Sequence, residues 1–332
     1  MLRMIWFILA FFSIVLALVP HLLWLLGWLV GKCFHYALPY APFGWTALAL
    51  VLLTWVVLAY GYFFGRWQQK TVCVEIERED IPTAFEGYRI VHISDLHLGT
   101  YDDRPEQLQR VVDSINELNP DLICFTGDLV SLSVDEALPY TQILKSLHAK
   151  DGVMSILGNH DFFIYSFRDH PQRRQEEVER LIGYERQTLG WQLLRNEHCV
   201  IHRGADSITL IGVDNTHGAG QGFNTVDHGD LAKAMAGTKG LRILLSHDPS
   251  HWAAEVVGKT DIALTLSGHT HAAQFKILGW TPASWMFHQS AGRYDVGSQT
   301  LYVTAGIGCT VPFRVNCPSE ITLITLHKST NQ

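Results

Sequence analysis

Two long apolar stretches open the chain, and neither contains a charged residue. Residues 4–30 and 43–64 are each long enough to cross a bilayer at about 1.5 Å per residue, even with Pro20 inside the first stretch. Aromatic side chains cluster near the ends of the second stretch, as anchors at a membrane interface do. A cleaved signal peptide followed by one anchor is the alternative, but the first stretch is long for a signal peptide and no small-x-small cleavage site follows it. The pattern therefore predicts an N-terminal transmembrane helical hairpin over residues 1–67.

Positive charges beside this hairpin predict its orientation. Arg3, Arg66 and Lys70 lie on one side of the membrane in this arrangement, and Lys32 lies on the other. Because cytoplasmic loops carry the excess of Lys and Arg, the N-terminus and the following domain are predicted to face the cytoplasm. Neither span carries a charge within it, so a multi-pass anchor in the cell (inner) membrane is favoured over an ion or proton pathway.

After about residue 70, short apolar runs rich in β-branched residues alternate with segments of helical periodicity. Strands are predicted over residues 71–76, 88–93, 121–125, 152–157, 191–194, 199–202, 208–213, 241–245, 262–266, 301–304 and 321–326. Helices are predicted over residues 105–118, 136–147, 176–189 and 230–235. This alternation is typical of an α/β domain, which we place at residues 70–330.

Potential metal ligands follow five of the predicted strands. They are Asp95 and His97, Asp128, Asn159 with His160 and Asp161, His247, and finally His269 with His271. One Asp-x-His at the end of a strand is adequately explained as a polar turn, but several strand ends in phase indicate a common site at one edge of a sheet. The donors are carboxylates, imidazoles and an amide without a thiolate, which suits Mn²⁺, Fe or Zn²⁺. A carboxylate such as Asp128 can bridge two cations about 3.5–4 Å apart, the spacing that two-metal hydrolysis uses.

The order of these residues resembles the signature of the calcineurin-like metallophosphoesterase superfamily. That signature runs D-x-H, G-D, G-N-H-D, a lone H and G-H-x-H, and it stands here as Asp95-Leu96-His97, Gly127-Asp128, Gly158-Asn159-His160-Asp161, His247 and Gly268-His269-Thr270-His271. The resemblance implies a four-layer α-β-β-α sandwich and a metal-dependent phosphoric ester hydrolase with two divalent ions, Mn²⁺ first among them. One departure is Ala272-Ala273, where Gly-Gly is common.

The resemblance also implies a role for each residue. The first metal would be held by Asp95, His97 and His271, and the second by Asn159, His247 and His269, with Asp128 between them. His160 would act on the phosphate or the leaving oxygen, oriented by Asp161. A hydroxide bridging the metals would then attack a phosphodiester, a pyrophosphate or a phosphomonoester.

The tail around Gly306, Pro312, Arg314 and residues 320–323 resembles the membrane-anchored bacterial branch of this superfamily. That branch includes enzymes that act on lipid-linked phosphates, among them UDP-diacylglucosamine pyrophosphohydrolases. The predicted substrate is therefore phosphate-containing and lipid-linked, met at the membrane. Arg314 is a candidate for binding its phosphate, with a surface salt bridge as the alternative.

Charge and composition bear on two competing functions. The net charge of −7 and the pI of about 6.2 argue against a nuclease, and no nucleic-acid partner is expected. A non-catalytic scaffold that binds a protein partner is the other alternative, but this chain retains every residue of the signature. The six cysteines contain no CxxC pair and indicate neither a zinc ribbon nor a disulfide framework.

Three segments admit two interpretations each. Residues 162–174 read as a lid over the site or a loop touching the membrane. The cluster of Trp280, Trp285, Met286 and Phe287 reads as core packing, or as an acyl-chain groove or membrane contact. Asp102-Asp103 reads as a helix N-cap before Pro105 or as a metal-adjacent pair.

Overall fold

The structure is a computed structural model that describes residues 2–101, 104–222 and 225–329. It divides into a helical unit, which extends to Arg66 and includes Val311–Val315, and a sandwich unit, which contains Trp67–Thr310 and the chain from Asn316 onward. The role expected of Asp102 and Asp103 falls outside the described residues.

The helical unit consists of α1 (Leu2–Phe34) and α2 (Ala41–Phe63). Both helices are long and apolar enough to cross a membrane, and most of their Leu, Phe and Trp side chains are exposed rather than packed in a protein core. Trp55 Nε1 of α2 donates to Ser13 Oγ of α1 over 2.7 Å, so the two helices pair as a hairpin. The segment 311–315 joins this unit through the amide of Arg314, which donates to the Gly61 carbonyl over 3.3 Å.

The first sheet of the sandwich unit has six strands in the order β1-β12-β2-β3-β4-β5. Its strands are β1 (Gln69–Arg78), β2 (Tyr88–Ile93), β3 (Leu122–Phe125), β4 (Val153–Ser155), β5 (Gln192–Leu193) and β12 (Ser319–Lys328). Strands β2 to β5 are parallel, and Ile93 pairs with Phe125, which pairs with Ser155. Because these strands end in register, the loops after β2, β3 and β4 emerge at one edge.

The second sheet also has six strands, in the order β10-β11-β9-β8-β7-β6. Its strands are β6 (Glu197–Arg203), β7 (Asp206–Gly212), β8 (Leu241–Leu245), β9 (Leu264–Ser267), β10 (Gly292–Val296) and β11 (Gln299–Val303). The four central strands are parallel, and the edge strands β6 and β10 are antiparallel to their neighbours. Strand β10 was not predicted because it is largely polar and mostly exposed, so it lacks the apolar run of a buried strand.

Alternation of side chains along the strands builds three apolar layers. Ile90 packs between the sheets with Leu122 and Leu245, whereas its neighbour Val91 faces the helices outside the first sheet. Those helices are α3 (Pro105–Glu117), α4 (Thr141–Lys145) and α5 (Pro171–Gly183), and α6 (Leu231–Met235) covers the second sheet. The predicted four-layer α-β-β-α sandwich is confirmed.

Two predictions about segments of the first sheet were wrong. The helix expected over residues 136–147 is reduced to α4 after short 3₁₀ turns, because Pro139 lacks an N–H and disfavours a helical residue before it. The segment 162–174 is not a separate lid or membrane loop along its whole length. Phe162 and Phe163 are buried in the core, and α5 already begins at Pro171, a favoured residue for a first helical position.

Candidate metal centre

The carboxyl ends of five strands bring the predicted ligands to one place between the sheets. Strands β2, β3 and β4 are followed by Asp95, His97, Asp128 and Asn159, and β8 and β9 are followed by His247, His269 and His271. Five of these seven residues have a positive φ between 42° and 68°: Asp95, His97, Asp128, His269 and His271. Since non-glycine residues seldom adopt this conformation, the fold holds the ligand loops in a constrained geometry of the kind found at functional sites.

One group of donors gathers around Asp95. Its Oδ1 lies 3.2 Å from His271 Nε2 and 4.0 Å from His97 Nε2. The two imidazole Nε2 atoms of His97 and His271 are themselves 3.2 Å apart. These are the three residues expected to hold a first metal, and all of them are buried.

A second group gathers around His247. Its Nε2 lies 3.1 Å from Asn159 Oδ1 and 3.2 Å from Asp128 Oδ2. His269 joins Asp128 and His247 in a set whose ligand atoms lie within 4.8 Å of one another. Asp128 Oδ2 is also 3.6 Å from His97 Nε2, so this carboxylate lies between the two groups, as a bridging ligand must.

The donor atoms of the cluster are arranged to bind divalent cations rather than to form hydrogen bonds with one another. The Nε2 atoms of His97 and His271 face each other at 3.2 Å beside the Asp95 carboxylate. A single proton between these two nitrogens cannot also serve the carboxylate, whereas one cation could bind all three groups. His271 Nδ1 is buried and has no hydrogen-bond partner among the described residues. Carboxylate oxygen, amide oxygen and imidazole nitrogen together are ligands that Mn²⁺, Fe and Zn²⁺ accept.

The electrostatics of the cluster also favour a cation. Burial raises the pKa of Asp95, but His271, His247 and His97 outweigh it and hold that pKa well below the usual range of a carboxyl group. Burial and the neighbouring His160 lower the pKa of His97 well below its usual value, and burial lowers the pKa of His269. The cluster therefore combines an ionised Asp95 with neutral imidazoles at His97 and His269, whose lone pairs are free to coordinate. Burial lowers the pKa of His247, but the adjacent Asp128 outweighs it and raises that pKa to about 10, so this position favours a positive charge beside the carboxylate.

A second layer of groups orients the imidazoles. His97 Nδ1 contacts Ser131 Oγ at 3.1 Å, and His247 Nδ1 donates to the Thr126 carbonyl over 2.6 Å. His269 Nε2 lies 3.5 Å from Asp248 Oδ2, and within the part of the chain that the structure describes neither atom has another polar partner. This pair leaves His269 Nδ1 for the cluster and forms the carboxylate–imidazole arrangement that supports many metal ligands.

His160 and Asp161 occupy different environments. The His160 amide donates to Asp128 Oδ1 over 2.8 Å, and its Nδ1 donates to the Ser131 carbonyl over 3.0 Å. Asp161 is fully buried and accepts amide hydrogen bonds from Gly158, Asp128 and Leu129 at 2.6–2.9 Å. The contact that orients the His160 ring thus comes from Ser131, whereas Asp161 fixes the backbone of the two loops beside it.

Sequence reasoning missed two residues of this site. Asp248 directly follows a predicted ligand, and a carboxylate adjacent to a metal-binding histidine was the available signal. Tyr165 accepts a hydrogen bond from Asn159 Nδ2 over 3.0 Å, and its ring lies 4.5 Å from that of His160. Nothing in the sequence distinguished Tyr165 from the other aromatic residues of its segment.

Glycines of the signature allow the loops to approach closely. A Cβ on Gly158 would overlap the Asp128 carboxylate, and one on Gly268 would overlap Ser94 and Asp95. Ala272 and Ala273 have φ of 49° and 51°, the left-handed region in which glycine carries no penalty. Ala272 and Ala273 therefore adopt a left-handed backbone conformation that glycine, the common residue at both positions, would adopt without strain.

Arg314 belongs to the helical unit, and its side chain is fully buried. The alternative interpretation of Arg314 as a surface salt bridge was wrong because no part of the residue reaches the surface. Its expected contact with substrate phosphate stays a prediction.

Comparison with known proteins agrees with this geometry. Residues 88–273 match the family model described as calcineurin-like phosphoesterase. A "transmembrane protein with metallophosphoesterase domain" from Danio rerio is 34% identical to this chain over 86% of its length. The matched region covers 63% of that relative's own length. An "uncharacterized metallophosphoesterase" from Bacillus subtilis, YkuE, is 30% identical over 82% of this chain and 91% of its own length.

The chain belongs to the calcineurin-like phosphoesterase family, a family of metal-dependent phosphoester hydrolases. Its two apolar helices and the transmembrane relative indicate association with a membrane. The predicted family is therefore confirmed.

Proposed function

We propose that this protein is a membrane-anchored phosphoesterase that uses two divalent metal ions to hydrolyse a phosphoester of a lipid-linked or membrane-proximal substrate. The observation that carries the proposal is the position of Asp128. Its Oδ2 lies 3.6 Å from His97 Nε2 and 3.2 Å from His247 Nε2, between two groups of buried donors. A single ion would not require ligands on both sides of this carboxylate.

Seven residues would hold the ions: Asp95, His97, Asp128, Asn159, His247, His269 and His271. Mn²⁺ is the first choice, and Fe and Zn²⁺ also suit this donor set. When bound, the ions would offset the charge of the phosphoryl oxygens and lower the pKa of a water molecule.

His160 is the proposed general acid. Because its Nδ1 donates to the Ser131 carbonyl, its Nε2 is the nitrogen left to face a substrate, and the residue is partly accessible. Hydrolysis adds water across a P–O bond, so a group at this position would protonate the leaving oxygen or stabilise its charge. Asp161 would act as a positioning residue through the amides that it accepts.

A direct assay tests the activity. The full chain, purified in detergent with Mn²⁺, should hydrolyse bis-p-nitrophenyl phosphate, and EDTA should abolish the reaction until Mn²⁺ is restored. Full activity in the metal-stripped protein would refute the mechanism. Stoichiometric metal binding without turnover on soluble diesters, nucleotide-linked lipids and lipid phosphates would instead favour the scaffold alternative.

Two natural cysteines allow a test of the proposed cytoplasmic orientation. Cys33, near the end of α1, and Cys73, in β1, are both exposed, and they lie on opposite sides of the membrane in the predicted topology. A membrane-impermeant maleimide added to intact expressing cells should label Cys33 in a Cys73→Ser variant. In a Cys33→Ser variant, Cys73 should react only after lysis, and the opposite pattern would reverse the orientation.

A further inference from the structure

A short loop concentrates the exposed apolar surface of the sandwich unit. In this loop, residues 277–286, five large side chains are exposed: Ile277 (51%), Leu278 (99%), Trp280 (42%), Trp285 (79%) and Met286 (38%). Elsewhere in the described part of this unit, exposed large apolar residues stand singly along the chain. Single exposed residues are ordinary, but a contiguous group of this size marks an interaction surface.

The exposed side chains sit on an ordered backbone. The amides of Ile277 and Trp280 each donate to the other's carbonyl over 2.9 Å, and the rings of Trp280 and Trp285 meet edge to face at 5.1 Å. At the far end of the loop, the Gly222 amide donates to the Met286 carbonyl over 2.9 Å. The loop therefore presents its apolar side chains in a fixed arrangement, as a preformed binding surface would.

The observations favour a lipid surface as the partner. The same chain carries two helices that are apolar and long enough to cross a membrane, and the proposed anchor would keep the loop close to a bilayer. Tryptophan is enriched at the boundary between lipid headgroups and acyl chains. From Lys276 to Arg293 the sequence contains no acidic residue, so nothing in this stretch repels an anionic membrane.

The loop is also connected to its surroundings at both ends. Asn316, where the chain re-enters the sandwich unit after residues 311–315, donates from its side chain to the Lys276 carbonyl over 3.2 Å. At the other end, the buried Phe287 packs against the metal-centre residue His269, with ring centroids 5.5 Å apart. Within the loop, the Thr281 hydroxyl donates to the carbonyl of Ala272, which directly follows His271. The apolar loop therefore borders the metal centre.

We propose that residues 277–286 insert into the interface of the bilayer and hold the metal centre at the lipid surface, where a lipid-borne phosphoester reaches it. The membrane contact rests on the proposed membrane anchor and on the loop, and it does not require catalytic activity. Delivery of the substrate rests in addition on the proposed phosphoesterase function, so the two parts need separate experiments.

Spin labelling tests the membrane contact. The full chain, with Cys33, Cys73 and Cys199 replaced by Ser, would carry one nitroxide at Leu278→Cys, or at the matched exposed position Val296→Cys, in nanodiscs of phosphatidylcholine and phosphatidylglycerol. The Leu278 label should collide more with dissolved oxygen and less with a water-soluble nickel chelate than the Val296 label. Equal collision with the chelate at both positions would overturn the proposal. Dipolar broadening that appears only with two copies in a disc would also overturn it, in favour of a second copy as the partner.

Kinetics test the delivery of substrate. Leu278→Asp should lower kcat/KM for a phosphoester lipid in vesicles about tenfold or more, because a charge replaces the side chain that would enter the lipid. The same variant should retain its rate on bis-p-nitrophenyl phosphate, and Val296→Asp should retain both rates. Equal loss on both substrates, or no loss on the lipid, would refute delivery by the loop. If the wild type hydrolyses neither substrate, the proposed function fails while the spin-label result still decides the membrane contact.

Discussion

The two sheets build their halves of the metal centre by different means. In the first-sheet half, backbone amides of the loops after β3 and β4 donate to the buried Asp161, and amides of the loop after β2 donate to the Gly127 and Asp128 carbonyls. The second-sheet half, from the loops after β8 and β9, depends on side-chain contacts such as that between His269 and Asp248. Asp128 joins the halves. The difference suggests that the first half is a rigid frame and that the second half sets how tightly metal is held.

The largest loss of activity is expected for a substitution of Asp128, where the two halves of the metal centre meet. Asp128→Asn removes the negative charge between the two groups of ligands, so turnover of bis-p-nitrophenyl phosphate should fall on the order of 10³-fold. Asp80→Asn changes an exposed carboxylate and should have the wild-type rate. An Asp128→Asn enzyme with more than a tenth of the wild-type kcat would show that the halves work independently.

The stability of the rigid first-sheet half should decrease as the pH rises. Burial and the nearby Asp161 raise the pKa of Glu185 from 4.5 to about 8, and Ser155 in β4 donates to it over 2.5 Å. Since the folded-state pKa is raised, the stability that Glu185 contributes is complete below pH 4.5 and is lost as the pH rises through about 8.

Glu185→Gln removes this titration. Between pH 5 and pH 9 the variant should lose several kcal/mol less unfolding free energy than the wild type. Thermal unfolding of the full chain in detergent at both pH values measures this, with the exposed Glu106→Gln as the control. Parallel curves for Glu185→Gln and the wild type would contradict the prediction.

A substitution in the second-sheet half should change the affinity for metal rather than the stability of the fold. Asp248→Asn removes the carboxylate that faces His269 Nε2, so the affinity for Mn²⁺ should fall about 10–100-fold. Titration calorimetry of the metal-stripped chain measures it independently of turnover. Asp261→Asn, at an exposed carboxylate beside the same sheet, should bind Mn²⁺ as the wild type does. Unchanged affinity in Asp248→Asn would remove the proposed distinction between the halves.

The smallest effect is expected at Tyr165. Tyr165→Phe keeps the ring beside His160 but loses the hydroxyl that accepts from Asn159, so kcat should fall about fivefold. In Tyr165→Leu, which also removes the ring, kcat should fall further. Identical kcat values for the two variants would show that the hydroxyl alone matters.

Much of the fold and the site was predictable because it depends on local order in the chain. Strand β2 and strand β8 lie where their apolar runs predicted them, and each ends directly before candidate ligands. The ordered motifs contain the seven candidate donors that the structure brings together, and their role as metal ligands stays a prediction. The failures arose where local signals conflict with context: Pro139 interrupted a periodic helix, and the polar edge strand β10 has little apolar pattern.

The sequence by itself determined the apolar hairpin, the α/β alternation and the candidate metal donors, because each depends on consecutive or regularly spaced residues. Only the tertiary structure decided which atoms face one another. Asp248 and Tyr165 join the site, and the loop of residues 277–286 stays exposed, through contacts between residues far apart in the chain. The physical reason is that periodicity reports which side chains avoid water, whereas orientation and exposure depend on the elements that pack around them.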